Sequence, residues 1–550
     1  MDRLPIIYVR GYAGPTSGID TQVDDPFYGF NKGATHVRVG GDGNPMFYQF
    51  EGPMLRLMTD EKYQVLVHGD QHAFLSDAGN GSLPAATIWV YRFYDQAATT
   101  FVPPPHQGIL DRLSTALHRH VTADGFDIET AAAGLYDLIE LVLSKVEKPG
   151  DEPGKVIIVA HSMGGLVARC MMQKICLQRD ERDPDHPHDR KPATELISKF
   201  FTYGTPHGGI SFDIGALNWA EEAFGPAGAQ IFSPPKMYGY LTPGPRDREP
   251  RAGANWDPQA IPAGVFDTDD VFCLVGTDPA DYGLSRVVVG PKSDGLVRIE
   301  HAYVRGAHRA YVFKSHSGSY GEVNSEEGYQ NLRRFLFGRW KVQVSFAGLP
   351  DYPGSEKWAV WQADMRLAVR GLPVIMSEQQ AAHWCPIQLN DELKRAGDAP
   401  DHPVPLVTTF LRDAAEEGSG PDGQAPHGGR SRYSLTLRVY QLDQQAGSFH
   451  FGEHLEQVPD WADTLIADVG PNEAGTGLRT WLAWNSEVPG PIANFDPITA
   501  EAVQLARVAD HQWQARIDLP AQARQLPIMG QNASLTITVT DREPAAPAGG

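Results

Sequence analysis

The run KVIIVAHSMGGLVARCM, Lys155 to Met171, sets a hydroxyl between a β-branched, buried-looking segment and a helix-forming one. A serine attacks a carbonyl carbon only when a base takes its proton and a carboxylate fixes that base's tautomer, because the free hydroxyl is a weak nucleophile. A parallel strand turning sharply into a helix can hold one residue at the turn, provided its neighbours are small enough for strand and helix to pass closely. Ser162 occupies that point, with Ala160 before it and Gly164 and Gly165 after it. Such a turn holds its serine in a backbone state costing about 1–3 kcal/mol, a setting a surface serine has no reason to occupy. The bland alternative is a Gly-rich strand-to-helix turn that merely contains a serine.

The base and the carboxylate must come from elsewhere in the chain. Asp278 directly follows the apolar run VFCLVG, and Asp294 lies in VGPKSDGLVRIEHAYV. Candidate bases are His316, at the exit of the last apolar run, and His308 and His301 in or before that run. His161, beside Ser162, is expected to point away from its neighbour's hydroxyl and to pack. His207, in YGTPHGG, is expected to buttress the site. The prolines of DPDHPHDR, Asp183 to Arg190, read as a solvated loop, and Asp267, Asp269 and Asp270 have no partner cluster; no metal site and no cofactor are expected.

These residues need a frame. At 550 residues the chain is too long for one ordinary core and implies at least two domains. From Met1 to about Trp340, short apolar runs alternate with longer helical patterns, as βαβ units with a parallel sheet do. Six runs qualify as strands: Pro5–Val9, Thr87–Tyr94, Val156–Ala160, Lys199–Tyr203, Val271–Val275 and Ala310–Lys314. Before the third, Leu135, Leu138, Ile139, Val142 and Val146 recur at helical spacing and mark one apolar face. A last helix is expected after Asn324 or Ser325 as N-cap, running through Leu332, Phe335 and Leu336 to Gly338.

Beyond Trp340 the pattern alternates with period two, in Val342, Val344, Phe346, in Tyr433, Leu435, Leu437, Val439, in Trp513, Ala515, Ile517, Leu519 and in Leu535, Ile537, Val539. The expected division is therefore an α/β domain over 1–339, with insertions at about 16–84 and 211–262, a β-rich accessory domain over 340–545 and a flexible tail over 546–550. DAAEEGSGPDGQAPHGG, Asp413 to Gly429, reads as a disordered excursion between strands.

Composition excludes some classes. The 47 basic against 68 acidic side chains give −21, with no Lys/Arg-rich run, so nucleic acid is not an expected partner. The four cysteines lack CxxC spacing and read as reduced core thiols. The amino terminus MDRLPIIYVRGYAG enters a strand pattern at once, leaving no room for a secretory leader, and no apolar stretch reaches the roughly 18 residues that span a bilayer. The expectation is a soluble, cytoplasmic protein, with leaderless export as the alternative and the sequons at Asn80 and Asn532 as chance.

With these residues in place, VAHSMGG resembles the nucleophile elbow of α/β-hydrolases, in the A-H-S-M-G form of bacterial lipases, with Ala160 where G-x-S-x-G has its first glycine. YGTPHGG resembles the G-T-P-H-x-G loop of the same lipases, and SDGLV, Ser293 to Val297, their acid loop. The resemblance covers about residues 5–340. It implies an α/β-hydrolase core with a parallel sheet and cap insertions; the all-β, sandwich-like domain read from the alternation beyond Trp340 matches no family. It implies the order Ser, acid, His, and so Asp294 as the acid and His316 as the base. The oxyanion formed on attack needs preorganised N–H donors. The resemblance assigns these to Met163 and, through IIYVRGYAGP with Arg10 in place of the lipase His, to Tyr12; VLVHGD, Val65 to Asp70, is a decoy. The second insertion interleaves apolar residues as a mobile cover would, making Trp219, Phe224 and Phe232 pocket candidates.

The expected activity is hydrolysis of carboxylic esters, lipase- or esterase-like, through an acyl-enzyme. A phospholipase, exported as a leaderless effector, is the nearest alternative; a binding protein on an inactive hydrolase core is the alternative of another class. The expected partner is the ester or lipid substrate, with transient contact at a lipid or polymer surface and no partner protein.

Overall fold

The computed structural model describes residues 3–11, 38–39, 45–46, 51–66, 71–91, 127–148, 154–180, 188–210, 231–244, 256–280, 289–316, 321–351, 359–369, 372, 374–397, 403–412, 431–442, 458–471, 478–488 and 505–542. The chain's contacts separate two compact units, Asp2–Arg309 with Lys314–Tyr329, and Gln330–Gly550 with Ala310–Phe313.

Six strands form the sheet that positions the site: β1 (Ile6–Val9), β2 (Ile88–Tyr91), β3 (Val156–His161), β4 (Ile197–Tyr203), β5 (Val271–Gly276) and β6 (His308–Val312). Their order is β6-β5-β4-β3-β1-β2, and neighbours pair in parallel from β2 through β5. Every residue of β1, β2, β3 and β5 is buried, which is why these strands read as continuous apolar runs rather than alternating ones. The last strand begins two residues earlier than expected. Its anticipated end, Lys314, has left the ladder and accepts from the Asp278 N–H instead, at 3.1 Å.

Helix α1 (Glu51–Asp60) and α2 (Gln71–Asp77) belong to the first insertion. The helix before β3, α3 (Ile128–Lys145), is capped by Asp127, whose side chain accepts from the Thr130 N–H, and buries Leu135, Leu138, Ile139 and Val142. It packs against α4 (Met163–Gln173), the helix that leaves β3 through Ser162. Two further helices are α5 (Pro234–Leu241) and α6 (Glu326–Phe337). Ser325 caps the last: its Oγ accepts from the Gly328 N–H at 2.9 Å. Asn324 instead turns its Oδ1 to the Gly52 N–H of α1, at 3.2 Å. Arg56 of α1 pairs with Glu326 and lies 4.2 Å over the Tyr329 ring, so the first insertion is fastened to the start of α6.

The second unit holds two antiparallel sheets. Its strands are β7 (Trp340–Ala347), β8 (Val360–Val369), β9 (Ile375–Gln379), β10 (Val404–Leu411), β11 (Ser431–Leu442), β12 (Trp461–Pro471), β13 (Leu478–Trp484), β14 (Ala506–Ala509), β15 (Gln512–Asp518) and β16 (Ser534–Asp541). One sheet runs β10-β7-β16-β15-β14 and the other β9-β8-β11-β12-β13, with the short pair Ile387–Gln388 on β8. Phe346, Trp361, Leu437, Trp484 and Leu535 lie in one buried cluster drawn from both sheets, as the period-two patterns require of a sandwich. The excursion expected at 413–429 lies outside the described residues.

Candidate active site

Ser162 sits at φ 53°, ψ −130°, a strained state for a residue with a Cβ. Its N–H donates to the Tyr203 carbonyl of β4 at 2.9 Å, and the Gly165 N–H donates back to the Ser162 carbonyl at 3.1 Å. The glycines around it are steric requirements. A Cβ on Gly164 would fall 2.3 Å from the Val9 carbonyl oxygen, and one on Gly165 would fall 2.2 Å from Thr205 Oγ1. The chain leaving β1 is equally close, since a Cβ on Gly11 would come within 2.8 Å of the Ser162 Cβ.

Asp294 and His316, 22 residues apart, are brought to that serine. His316 Nδ1 lies 2.8 Å from Asp294 Oδ2 and its Nε2 lies 3.0 Å from Ser162 Oγ. A carboxylate only accepts, so Nδ1 carries the proton and Nε2 is left to accept from the hydroxyl. Asp294 is positioned from both ends. Its Oδ1 accepts from Leu296 N–H at 2.9 Å and Val297 N–H at 2.7 Å, and its carbonyl accepts from the His316 N–H at 2.9 Å. The turn needs Gly295, at φ 99°. All three side chains are buried.

Two further titratable groups border this array. His161 donates from Nε2 to the His316 carbonyl at 3.0 Å, and the two rings lie 4.8 Å apart. Burial first, then the neighbouring His316, pushes its pKa well below the usual imidazole range. Glu322 is fully buried. Atoms of His161, His316 and Glu322 able to bind a cation lie within 4.8 Å of one another, but both ring nitrogens of His316 are already engaged.

Other candidates lie elsewhere. Asp278 accepts from the Ala280 N–H at 2.9 Å and so closes a turn. His308 pairs with Asp269 at 3.4 Å. His301 brackets the G-T-P-H-G-G loop: its ring faces the Gly209 carbonyl at 3.0 Å, and its own carbonyl accepts from Gly208 at 2.9 Å. His207 is buried with Nε2 3.2 Å from Thr202 Oγ1. Met163 opens α4, where the first N–H groups have no acceptor within the helix. Phe232 is buried beside the same loop, its carbonyl 2.5 Å from where a Cβ on Gly209 would be. Tyr12, Trp219 and Phe224 lie outside the described residues, as does most of DPDHPHDR. All four cysteines are buried and none is joined in a disulfide.

Helix α4 also carries polar side chains that sequence reasoning passed over. Arg169, fully buried, donates to the carbonyls of Pro258 at 2.7 Å, Ala260 at 2.8 Å and His207 at 3.3 Å; burial pushes its pKa down to about 10. Gln173 donates to the Leu241 carbonyl at 3.1 Å. Lys174, just past the helix, reaches the Gly239 carbonyl at 2.8 Å and Glu129 of α3 at 2.7 Å. The helix that presents the serine therefore also holds the described parts of the second insertion. A helical stripe of Arg, Gln and Lys reads as a solvated face, and only the carbonyl acceptors supplied from 38 to 91 residues downstream bury it.

Among known proteins, residues 109–208 match the family described as PGAP1-like alpha/beta domain. No curated protein matches the chain. Two solved structures are similar at 12% identity: phospholipase PlaB from Legionella pneumophila in complex with thio-NAD, over 81% of this chain and 90% of that one at a TM-score of 0.27, and lipase 1 from Pelosinus fermentans, over 58% and 89% at a TM-score of 0.21. No helix among the described residues is long and apolar enough to cross a membrane. The parallel sheet, the turn at its centre and the matched segment make the first unit of this chain an α/β-hydrolase-like fold.

Proposed function

We propose that this protein is a serine hydrolase of carboxylic esters, lipase- or esterase-like. Ser162 Oγ attacks the ester carbonyl while His316 Nε2 takes its proton, and Asp294 stabilises the resulting imidazolium. His316 then returns that proton to the departing alcohol, leaving an acyl-Ser162. Water, deprotonated by the same nitrogen, releases the acid. The oxyanion is received by the N–H of Met163 and that of Tyr12. Losing one such donor costs about 2.7–4 kcal/mol of barrier.

The observation that carries the reading is the unbroken line Asp294 Oδ2, His316 Nδ1, His316 Nε2, Ser162 Oγ, with steps of 2.8 and 3.0 Å. In the same reading residues 1–339 carry the chemistry. Residues 340–545 position it at an ester-bearing surface.

A fluorophosphonate probe tests it, followed by turnover of p-nitrophenyl esters of graded chain length and of phospholipids. The expected result is a single adduct on Ser162 and turnover of the simple esters. An unlabelled, inactive but folded protein would refute the enzyme reading; turnover confined to phospholipids would make it a phospholipase.

A further inference from the structure

Glu322 follows His316 by six residues and returns to the site from the loop that precedes α6. Its N–H donates to the Ser315 carbonyl at 2.9 Å, and its carbonyl accepts from Ser325 Oγ at 2.8 Å. The side chain is 0% exposed. Two glycines at adjacent strand ends make room for it. A Cβ on Gly204, after β4, would fall 2.1 Å from Glu322 Oε1, 2.9 Å from His316 Nδ1 and 3.0 Å from Asp294 Oδ2. A Cβ on Gly276, at the end of β5, would fall 2.8 Å from the Asp294 Cβ and 3.3 Å from Glu322 Oε2. Asp294 and Glu322 thus both pack over this pair of missing side chains, and the imidazole over the first of them.

Buried carboxyls at such a spacing do not both ionise, and the hydrogen bonds decide which one does. Asp294 accepts three, from Leu296, Val297 and His316. Glu322 has at most the Gly276 N–H, and that outside standard hydrogen-bond geometry.

We propose that Glu322 is a positioning residue, an uncharged carboxylic acid that packs Asp294 and His316 into line while leaving Asp294 the only negative charge facing the imidazole. The inference rests on the triad reading above.

The groups about this carboxyl are Asp294, His316 and His161, with the Tyr203 phenol of β4 interacting with it; Tyr203 interacts also with Tyr8 and Tyr329, and His161 with Arg10. Burial, then Asp294, pushes Glu322 well above the usual carboxylate range, against the opposing Gly276 N–H. The folded protein therefore holds a proton that the unfolded chain releases above roughly pH 4.5. The stability that this one group contributes falls as pH rises from that point, against the opposite slope of the buried histidines, and a glutamine at 322 removes its part alone.

The test compares wild type, Glu322→Gln and Glu322→Ala as full-length proteins on a short p-nitrophenyl ester. Glu322→Ala should lower kcat/KM at least about tenfold, and Glu322→Gln should recover most of that loss with the midpoint of the acid limb displaced by under about 0.3 pH unit. The Tm of Glu322→Gln should match wild type near pH 4.5 and exceed it by a margin that widens toward pH 8. Displacement of the acid limb by about one unit or more in Glu322→Gln would show a charge that the proposal denies, and overturns it. So would a glutamine variant as impaired as the alanine variant, an alanine variant as active as wild type, or a Tm difference independent of pH. A wild type inactive on every ester refutes the triad reading instead; the Tm comparison then decides by itself whether Glu322 keeps its proton.

Discussion

His161 Nε2 lies 3.0 Å from the carbonyl oxygen of His316. A carbonyl cannot donate, so this ring carries its proton on Nε2, and the residue before the elbow serine holds the main chain of the residue opposite it. A nitrogen that must remain protonated for structural reasons is not available as a base.

Replacing His161 should therefore impair alignment rather than binding. His161→Leu is expected to lower kcat about 10- to 100-fold, the cost of a displacement near one ångström, with KM changed by less than about twofold. His161→Gln, which keeps an N–H donor, should recover part of the loss. Steady-state kinetics on one ester decide this; an effect confined to KM would contradict it.

Ser162→Ala should abolish hydrolysis and leave the fold intact, because it removes one oxygen from a turn already accommodated. Asp294→Asn should cost about four orders of magnitude in kcat, since the amide favours the wrong tautomer. Asp278→Asn should remain within about threefold of wild type, because Asp278 closes a turn with Ala280. If the two Asp variants rank the other way, the acid belongs to the end of β5.

Acid should destabilise the protein before its carboxylates titrate. Burial pushes His161 and His207 well below 6.5, with His316 and Arg169 respectively adding to the effect. The unfolded chain binds protons at these positions below that pH and the native state does not. Stability is thus lost as pH falls through 6.5, by up to about 1.4 kcal/mol per pH unit for each histidine. Urea midpoints at two pH values either side of it check the slope, and His207→Gln should show a smaller fall than wild type.

Arg169→Met should destabilise by roughly 2–4 kcal/mol, because hydrogen bonds from a charged donor are lost and buried carbonyls are left without one. Thermal unfolding measures the loss. Limited proteolysis should then cut first near 256–260, where Arg169 holds the Pro258 and Ala260 carbonyls.

The strands of the core were legible because burial on both faces leaves an unbroken apolar run, and the sandwich because burial on one face leaves alternation. Ser162 was legible from its small neighbours, whose necessity the close approach of Val9 and Thr205 makes concrete. Asp294 and His316 came from motif likeness; their rivals differ from them in three-dimensional address, which local pattern does not carry. Glu322 was hidden for a different reason. Within EVNSEEGYQ an acidic residue reads as one more charge at a helix start, and only Gly204 and Gly276, more than forty residues upstream, turn it into a buried acid. The same holds for Arg169 and Lys174, whose burial depends on acceptors far along the chain.

The dual attachment of α4 has a bearing on how this scaffold can be re-engineered. An insertion is usually treated as an exchangeable part, cut at its ends and replaced to alter substrate range. Here Arg169 and Gln173 of the helix that follows Ser162, and Lys174 just past that helix's end, donate to the insertion's carbonyls. A graft that ignores them would bury a guanidinium, an amide and an ammonium opposite new, unmatched surface, and the resulting displacement would be transmitted along four turns or fewer to Ser162. Cap and helix form one module, and a transplant must carry both.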